Sequence, residues 1–181
     1  IYASVGVHPD YEDIQEPDID SLFKHSKNKK VVAIGETGLD YFRLKGDLSW
    51  QRDRFRTHIR AAIKSKLPLI IHTRNAQDDT ISIMKEEGAN SATGVMHCFT
   101  ESYEMAKQAI DLGFYISFSG IITFKNAETL RETVKKIPIE NILIETDSPY
   151  LAPVPNRGKL NEPANVRYVA EKIAELKGIS I

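Results

Sequence analysis

Five residues have side chains suited to holding a metal ion and occupy comparable places in the sequence: His8, Glu36, His72, His97 and Asp147. Each is the first strongly polar, ligand-type residue after a short apolar run. The chain has only five histidines, so finding three of them at such places favours a shared role over accident. Imidazole and carboxylate donors together suit Zn2+, Mn2+ or a similar divalent ion, and a carboxylate can bridge two of them. An ion held this way lowers the pKa of bound water and polarises a phosphoryl or carbonyl oxygen. Singly, each residue also has a plain structural reading. A strand-end histidine is commonly just hydrogen-bonded, Glu36 fits a turn before Gly38, and Asp147-Ser148-Pro149 fits a turn initiator. It is the set that points to metal-assisted hydrolysis.

The elements that must gather these residues are legible in the apolar pattern. Residues 2–7, 31–35, 69–71, 93–96, 114–118 and 142–144 read as strands. The runs are continuous rather than alternating, which suits parallel strands covered on both faces. Between them, residues 50–66, 102–112, 127–137 and 164–177 carry apolar side chains at helical spacing, with Asn126 placed to cap the third. Residues 18–26 and 78–87 are weaker helices. Strand and helix alternating without a break predict a parallel α/β fold, whose carboxyl strand ends line the active site. Glu36, His72 and His97 end three successive strands, and neighbouring strand ends lie ~5 Å apart. Asp147 ends the last strand and would face them across a barrel mouth. A doubly wound open sheet fits 181 residues comfortably. A (β/α)8 barrel typically takes ~250 residues, so the six visible units leave it two short.

Composition narrows the partners. Lys and Arg total 24 against 25 Asp and Glu, a net charge of -1, which excludes a generally basic nucleic-acid binder. Contact with a polyanion must then be local. Arg43, Arg74, Lys125, Arg157 and Lys159 lie on the loop side of the strands, where they would form a phosphate-gripping rim or simply solvated surface. The single cysteine, Cys98, excludes an internal disulfide and reads as a small core residue. His25 reads as solvated, His58 as structural and Trp50 as a packing residue. No run approaches the ~20 apolar residues of a membrane span, and no signal-peptide pattern opens the chain. A cytoplasmic location is the expectation.

Six motifs in order resemble the TatD family of metal-dependent deoxyribonucleases: Gly6-Val-His-Pro, Gly35-Glu-Thr-Gly-Leu-Asp-Tyr41, Ile71-His-Thr-Arg74, Met96-His-Cys-Phe99, Glu145-Thr-Asp-Ser-Pro-Tyr150 and Asn161-Glu-Pro163. The resemblance runs from about Val5 to the C-terminal end. It implies a single (β/α)8 TIM-like barrel domain over residues 1–181, lacking here the first two strand-helix units. It implies one or two divalent ions, Mg2+, Mn2+ or Zn2+, and hydrolysis of DNA phosphodiester bonds, often from the 3′ end. Carried over by position, Glu36, His72 and His97 would be metal ligands, with Glu36 able to bridge. Asp147 would contact a second metal or act as general base. His8 would sit beside the substrate phosphate, with Arg74 and Arg157 as further substrate contacts.

There are departures from the family pattern. The Asp-x-His-x-His stretch that opens many members is missing, so the site that it feeds should be weakened. Asp10 stands where a second histidine is common, and Asn75 where an acidic residue is common. Unpaired barrel edges would favour self-association. The alternatives are hydrolysis of esters, amides or aminoacyl-tRNA esters on the same fold, or a barrel module without chemistry.

Overall fold

The computed structural model describes residues 1–181, in which six strands and six α-helices alternate. Contacts group them into two units, Ile1–His97 with Asp111–Phe114, and Cys98–Ile110 with Tyr115–Ile181.

The first unit carries strands β1 (Ala3–Val5), β2 (Val31–Asp40), β3 (Leu69–Arg74) and β4 (Gly94–Met96), and helices α1 (Ile19–Ser26), α2 (Ser49–Ser65) and α3 (Gln77–Glu86). All pairings are parallel and follow chain order. Ile34, Leu39, Phe55, Ile59, Leu69, Ile71, Met84 and Met96 are fully buried and make the core between strands and helices. Each such side chain contributes about 1.5–3 kcal/mol through burial. Asp18 accepts the N–H of Ser21 at 2.6 Å and caps α1.

Two strands differ from their apolar runs. β2 does not stop at Gly35 but continues to Asp40. Between Ile34↔Leu69 and Thr37↔Ile71 it holds one residue more than β3, a bulge that contains Glu36. Bulges re-aim side chains at strand ends, and here the re-aimed side chain is a carboxylate. Gly38 lies opposite His72. Its φ is +136°, and a Cβ there would stand 1.9 Å from the His72 carbonyl oxygen, so only glycine lets β2 pass so close to β3. β3 likewise runs past Ile71. Its burial alternates rather than being uniform: Leu69, Ile71 and Thr73 are buried, while Ile70, His72 and Arg74 are half-buried on the other face.

The second unit carries β5 (Phe114–Phe118) and β6 (Ile142–Ile144), paired in parallel, with α4 (Tyr103–Asp111), α5 (Glu128–Lys136) and α6 (Val166–Lys177). Phe99, Phe118, Ile116, Val134, Ile137 and Val169 form its core, with Phe99 edge-on to Phe118 at 6.3 Å. Ala127, not Asn126, is the residue before α5, and no side chain caps that end. Cys98 is half-buried rather than in the core, with its sulfur 3.1 Å from Ser119 Oγ. No helix is long and apolar enough to cross a membrane.

Candidate metal centre

The first unit gathers His8, Glu36, His72 and His97 around one carboxylate oxygen. Glu36 Oε1 lies 3.2 Å from His72 Nδ1, 3.4 Å from His8 Nε2 and 3.8 Å from His97 Nε2. One ligand atom each from His8, Glu36 and His72 lies within 4.8 Å of the others. Local structure explains the convergence. Glu36 sits on the bulge, and His72 projects from the half-buried face of β3. His97 directly follows β4, and its N–H donates to the Ile71 carbonyl at 2.8 Å, which sets it next to His72. His8 follows β1 by three residues.

These residues fit a divalent cation. In a tetrahedral site with bonds of about 2.1 Å, donor atoms stand about 3.4 Å apart, the range found around Glu36. Three neutral imidazoles and a carboxylate are the donor chemistry of Zn2+ or Mn2+ rather than Ca2+. The electrostatics agree. Burial pushes the Glu36 carboxyl up, but hydrogen bonds from His72 and His8, with the charges of His97 and His8, hold it well below the usual carboxylate range. Burial is also the largest influence on His8 and pulls it down. Hydrogen bonding and charge from Glu36, then Asp10, outweigh that and leave its pKa raised.

Asp40 is a member of the site that the residue pattern alone did not single out. Its side chain is 1% exposed. Oδ2 faces His72 Nε2 at 3.0 Å, while Oδ1 accepts the N–H groups of Phe42 and Arg43 at 2.9 and 3.0 Å. A carboxylate on the far nitrogen of a ligating histidine fixes its ring and strengthens its donor atom. Asp10, standing where the family commonly has a second histidine, contacts His8 Nδ1 and accepts from Arg43 Nη1 at 2.7 Å. The chain Arg43–Asp10–His8–Glu36–His72–Asp40 therefore returns to the Arg43 N–H and closes on itself.

The chain is also similar to known proteins over its whole length. The sequence profile described as TatD-related DNase matches residues 1–181. The chain belongs to this family. YabD, an uncharacterized metal-dependent hydrolase of Bacillus subtilis (strain 168), is 51% identical over 178 residues, covering 98% of this chain and 70% of YabD. Among solved structures, YJJV, a TatD homolog from Escherichia coli K12, superposes with a TM-score of 0.84 at 29% identity, covering 97% of this chain and 68% of that one. A hydrolase TatD family protein from Entamoeba histolytica gives 0.83 at 32% identity, covering 99% and 69%. The fold is thus α/β of the TatD TIM-barrel type, and this TatD-family chain is a metal-dependent hydrolase.

What holds the candidate site of this TatD-family chain in place is a buried polar stripe on α2. Gln51, Arg54 and His58 lie one helical turn apart and are all buried. Gln51 accepts the Asp40 N–H at 2.9 Å and donates to the Asp40 carbonyl at 3.2 Å. Arg54 donates to the carbonyls of His8 and Tyr11 at 3.1 and 2.9 Å and pairs with Glu16. His58 Nδ1 donates to the Arg54 carbonyl at 2.8 Å, and its Nε2 accepts the Val7 N–H at 3.0 Å. The stripe therefore grips the backbone on both sides of His8 and at Asp40.

The His58 arrangement requires a neutral ring. Burial chiefly, aided by the Arg54 charge and opposed by the Arg54 carbonyl and Glu16, lowers its pKa to about 4. The unfolded chain, with a histidine pKa near 6.5, binds the extra proton first. The stabilisation is therefore complete above about pH 6.5 and is lost as pH falls through about 4, roughly 3 kcal/mol in all. Unfolding free energies measured from pH 7 to 4 should fall more steeply for the native chain than for His58→Gln. Equal slopes would overturn the assignment.

In the second unit, Asp147 lies three residues past β6, half-buried, with φ +58°. The segment around it is held by Asn161, which is buried. Asn161 Nδ2 donates to the carbonyls of Thr146 at 2.8 Å and Tyr150 at 2.6 Å, and its Oδ1 accepts from Asn165 at 2.9 Å. The Asn161-Glu-Pro163 motif thus has a physical role as the clamp on the Asp147 loop. Arg157 is exposed, with its guanidinium 3.7 Å from the Phe124 ring centre.

Proposed function

We propose that the chain hydrolyses phosphodiester bonds of DNA, shortening a strand from its 3′ end, with one or two Mg2+, Mn2+ or Zn2+ ions. The observation that carries the reading is the convergence of His8, His72 and His97 on one Glu36 oxygen. The family's description as DNase-related supports the choice of substrate. Glu36, His72 and His97, with His8, would hold the ion. When bound, it lowers the pKa of water and polarises the phosphoryl oxygen. Asp40 keeps the His72 ring turned toward Glu36. His8 would bind the ion as a neutral imidazole, with Asp10 on its far nitrogen Nδ1 fixing the ring. Asp147 takes the proton of the attacking water, the role that the resemblance gives it.

Purified chain, stripped by a chelator and supplied with each ion in turn, should shorten a 5′-labelled single strand stepwise. It should leave simple carboxyl esters nearly untouched. Turnover of esters without cleavage of DNA would reassign the same site to ester hydrolysis.

A further inference from the structure

Beside the metal centre stands a pair of side chains with no structural task. Arg74 closes β3 two residues after His72 and shares its half-buried face, about 7 Å further along the strand. Its side chain makes no hydrogen bond or ion pair, unlike Arg43, Arg52, Arg54, Arg56 and Arg60 of the same unit. Its guanidinium lies 3.8 Å from the ring centre of Phe42. Phe42 is 53% exposed, at a position where a phenyl ring gains little from burial. Neither residue is loosely placed. The Phe42 N–H is bonded to Asp40, the carboxylate that also orients His72, and the Tyr41 N–H donates to the Arg74 carbonyl at 2.9 Å.

We propose that Phe42 and Arg74 form a subsite for single-stranded nucleic acid, with a base stacked on the free face of Phe42 and a neighbouring phosphate held by Arg74. This rests on the phosphodiesterase reading and specifies how that site grips its strand. A guanidinium held against a ring face by its carbon, with no hydrogen-bond partner, has N–H donors to spare for phosphate oxygens. Aromatic faces combined with cationic groups are how proteins hold single strands without reading sequence. The Asp40 carboxylate fixes both this platform and His72, so a strand seated on the platform is registered against the metal ligands. A local grip also answers how a chain of net charge -1 binds a polyanion.

The test is binding of a dye-labelled oligothymidylate to the whole chain in excess chelator, followed by fluorescence anisotropy. Cleavage with added Mn2+ is measured alongside. Phe42→Ala should weaken Kd about 5- to 100-fold, and Phe42→Trp should restore it. Arg74→Ala should weaken binding and lower the slope of log Kd against log salt by about 0.7. Phe42 is exposed, so its variants should melt with the native chain. Unchanged Kd in both variants, or no binding by the native chain, would overturn the subsite. Cleavage with native KM in the variants would do the same while leaving the phosphodiesterase reading intact. Binding that depends on Phe42 and Arg74 without any metal-dependent cleavage would keep the subsite and sink the phosphodiesterase reading.

Discussion

Glu36→Gln is expected to abolish metal-dependent turnover while leaving the fold in place. The substitution keeps the shape of the side chain but removes the charge on which three histidines converge at 3.2–3.8 Å. Outer residues that only orient a ligand already affect metal affinity by about 10–100-fold, so loss of the central carboxylate should exceed that. A metal's stabilisation of transition-state charge is worth several kcal/mol, so turnover should fall at least about 10³-fold. The chain should still melt cooperatively, because Glu36 is half-buried on a bulge and its carboxylate faces the histidines of the site. Titration calorimetry with Mn2+ or Zn2+ and a turnover assay would check both halves. The same variant should lower the pKa of His8, since Glu36 is the leading influence that raises it. Native metal affinity in Glu36→Gln would remove the carboxylate from the centre of the site.

The donor set at Glu36 was open to a sequence reader because ligand chemistry is written in residue types. Histidine and glutamate after apolar runs stand out, and four of the six strands lie close to their apolar runs. Strand β2 outruns its apolar run for a physical reason. Gly35, Thr37 and Gly38 break the apolar run, yet two of these residues are what the bulge and the close crossing at His72 need. Asp40 lies at the end of that extension, where no apolar run marks it as a strand end. The stripe of Gln51, Arg54 and His58 is harder still to see. On a helix, polar residues normally mark the solvent face, and these three are buried because they bond to backbone groups that follow β1 and end β2, with Arg54 also paired to Glu16. Backbone partners leave no trace in residue type. His58 is structural, as its place among core positions implies, but nothing in the sequence ties it to Val7. The Asn161 motif was visible as a family resemblance, and only the carbonyls of Thr146 and Tyr150 show what it holds.

Asp147→Asn and Asn161→Ala separate chemistry from positioning in the second unit. General acid–base groups contribute about 10²–10⁴-fold to rate, so Asp147→Asn should reduce turnover by that factor. Stability should change little, since the side chain keeps its size on a half-buried loop. Asn161→Ala should act the other way round. Asn161 is 4% exposed and satisfies two carbonyls while accepting from Asn165. Leaving such buried groups unpaired costs about 1–3 kcal/mol each, so the melting temperature should drop by several degrees. Turnover should fall as well, because the loop that carries Asp147 is freed at both Thr146 and Tyr150. A double variant resolves the coupling. If Asn161 acts on rate only through Asp147, adding Asn161→Ala to Asp147→Asn should lower stability without a further loss of turnover. Additive losses of rate would instead show that Asn161 positions something other than Asp147, and the clamp would have to be reassigned to the Ser148–Tyr150 turn that follows.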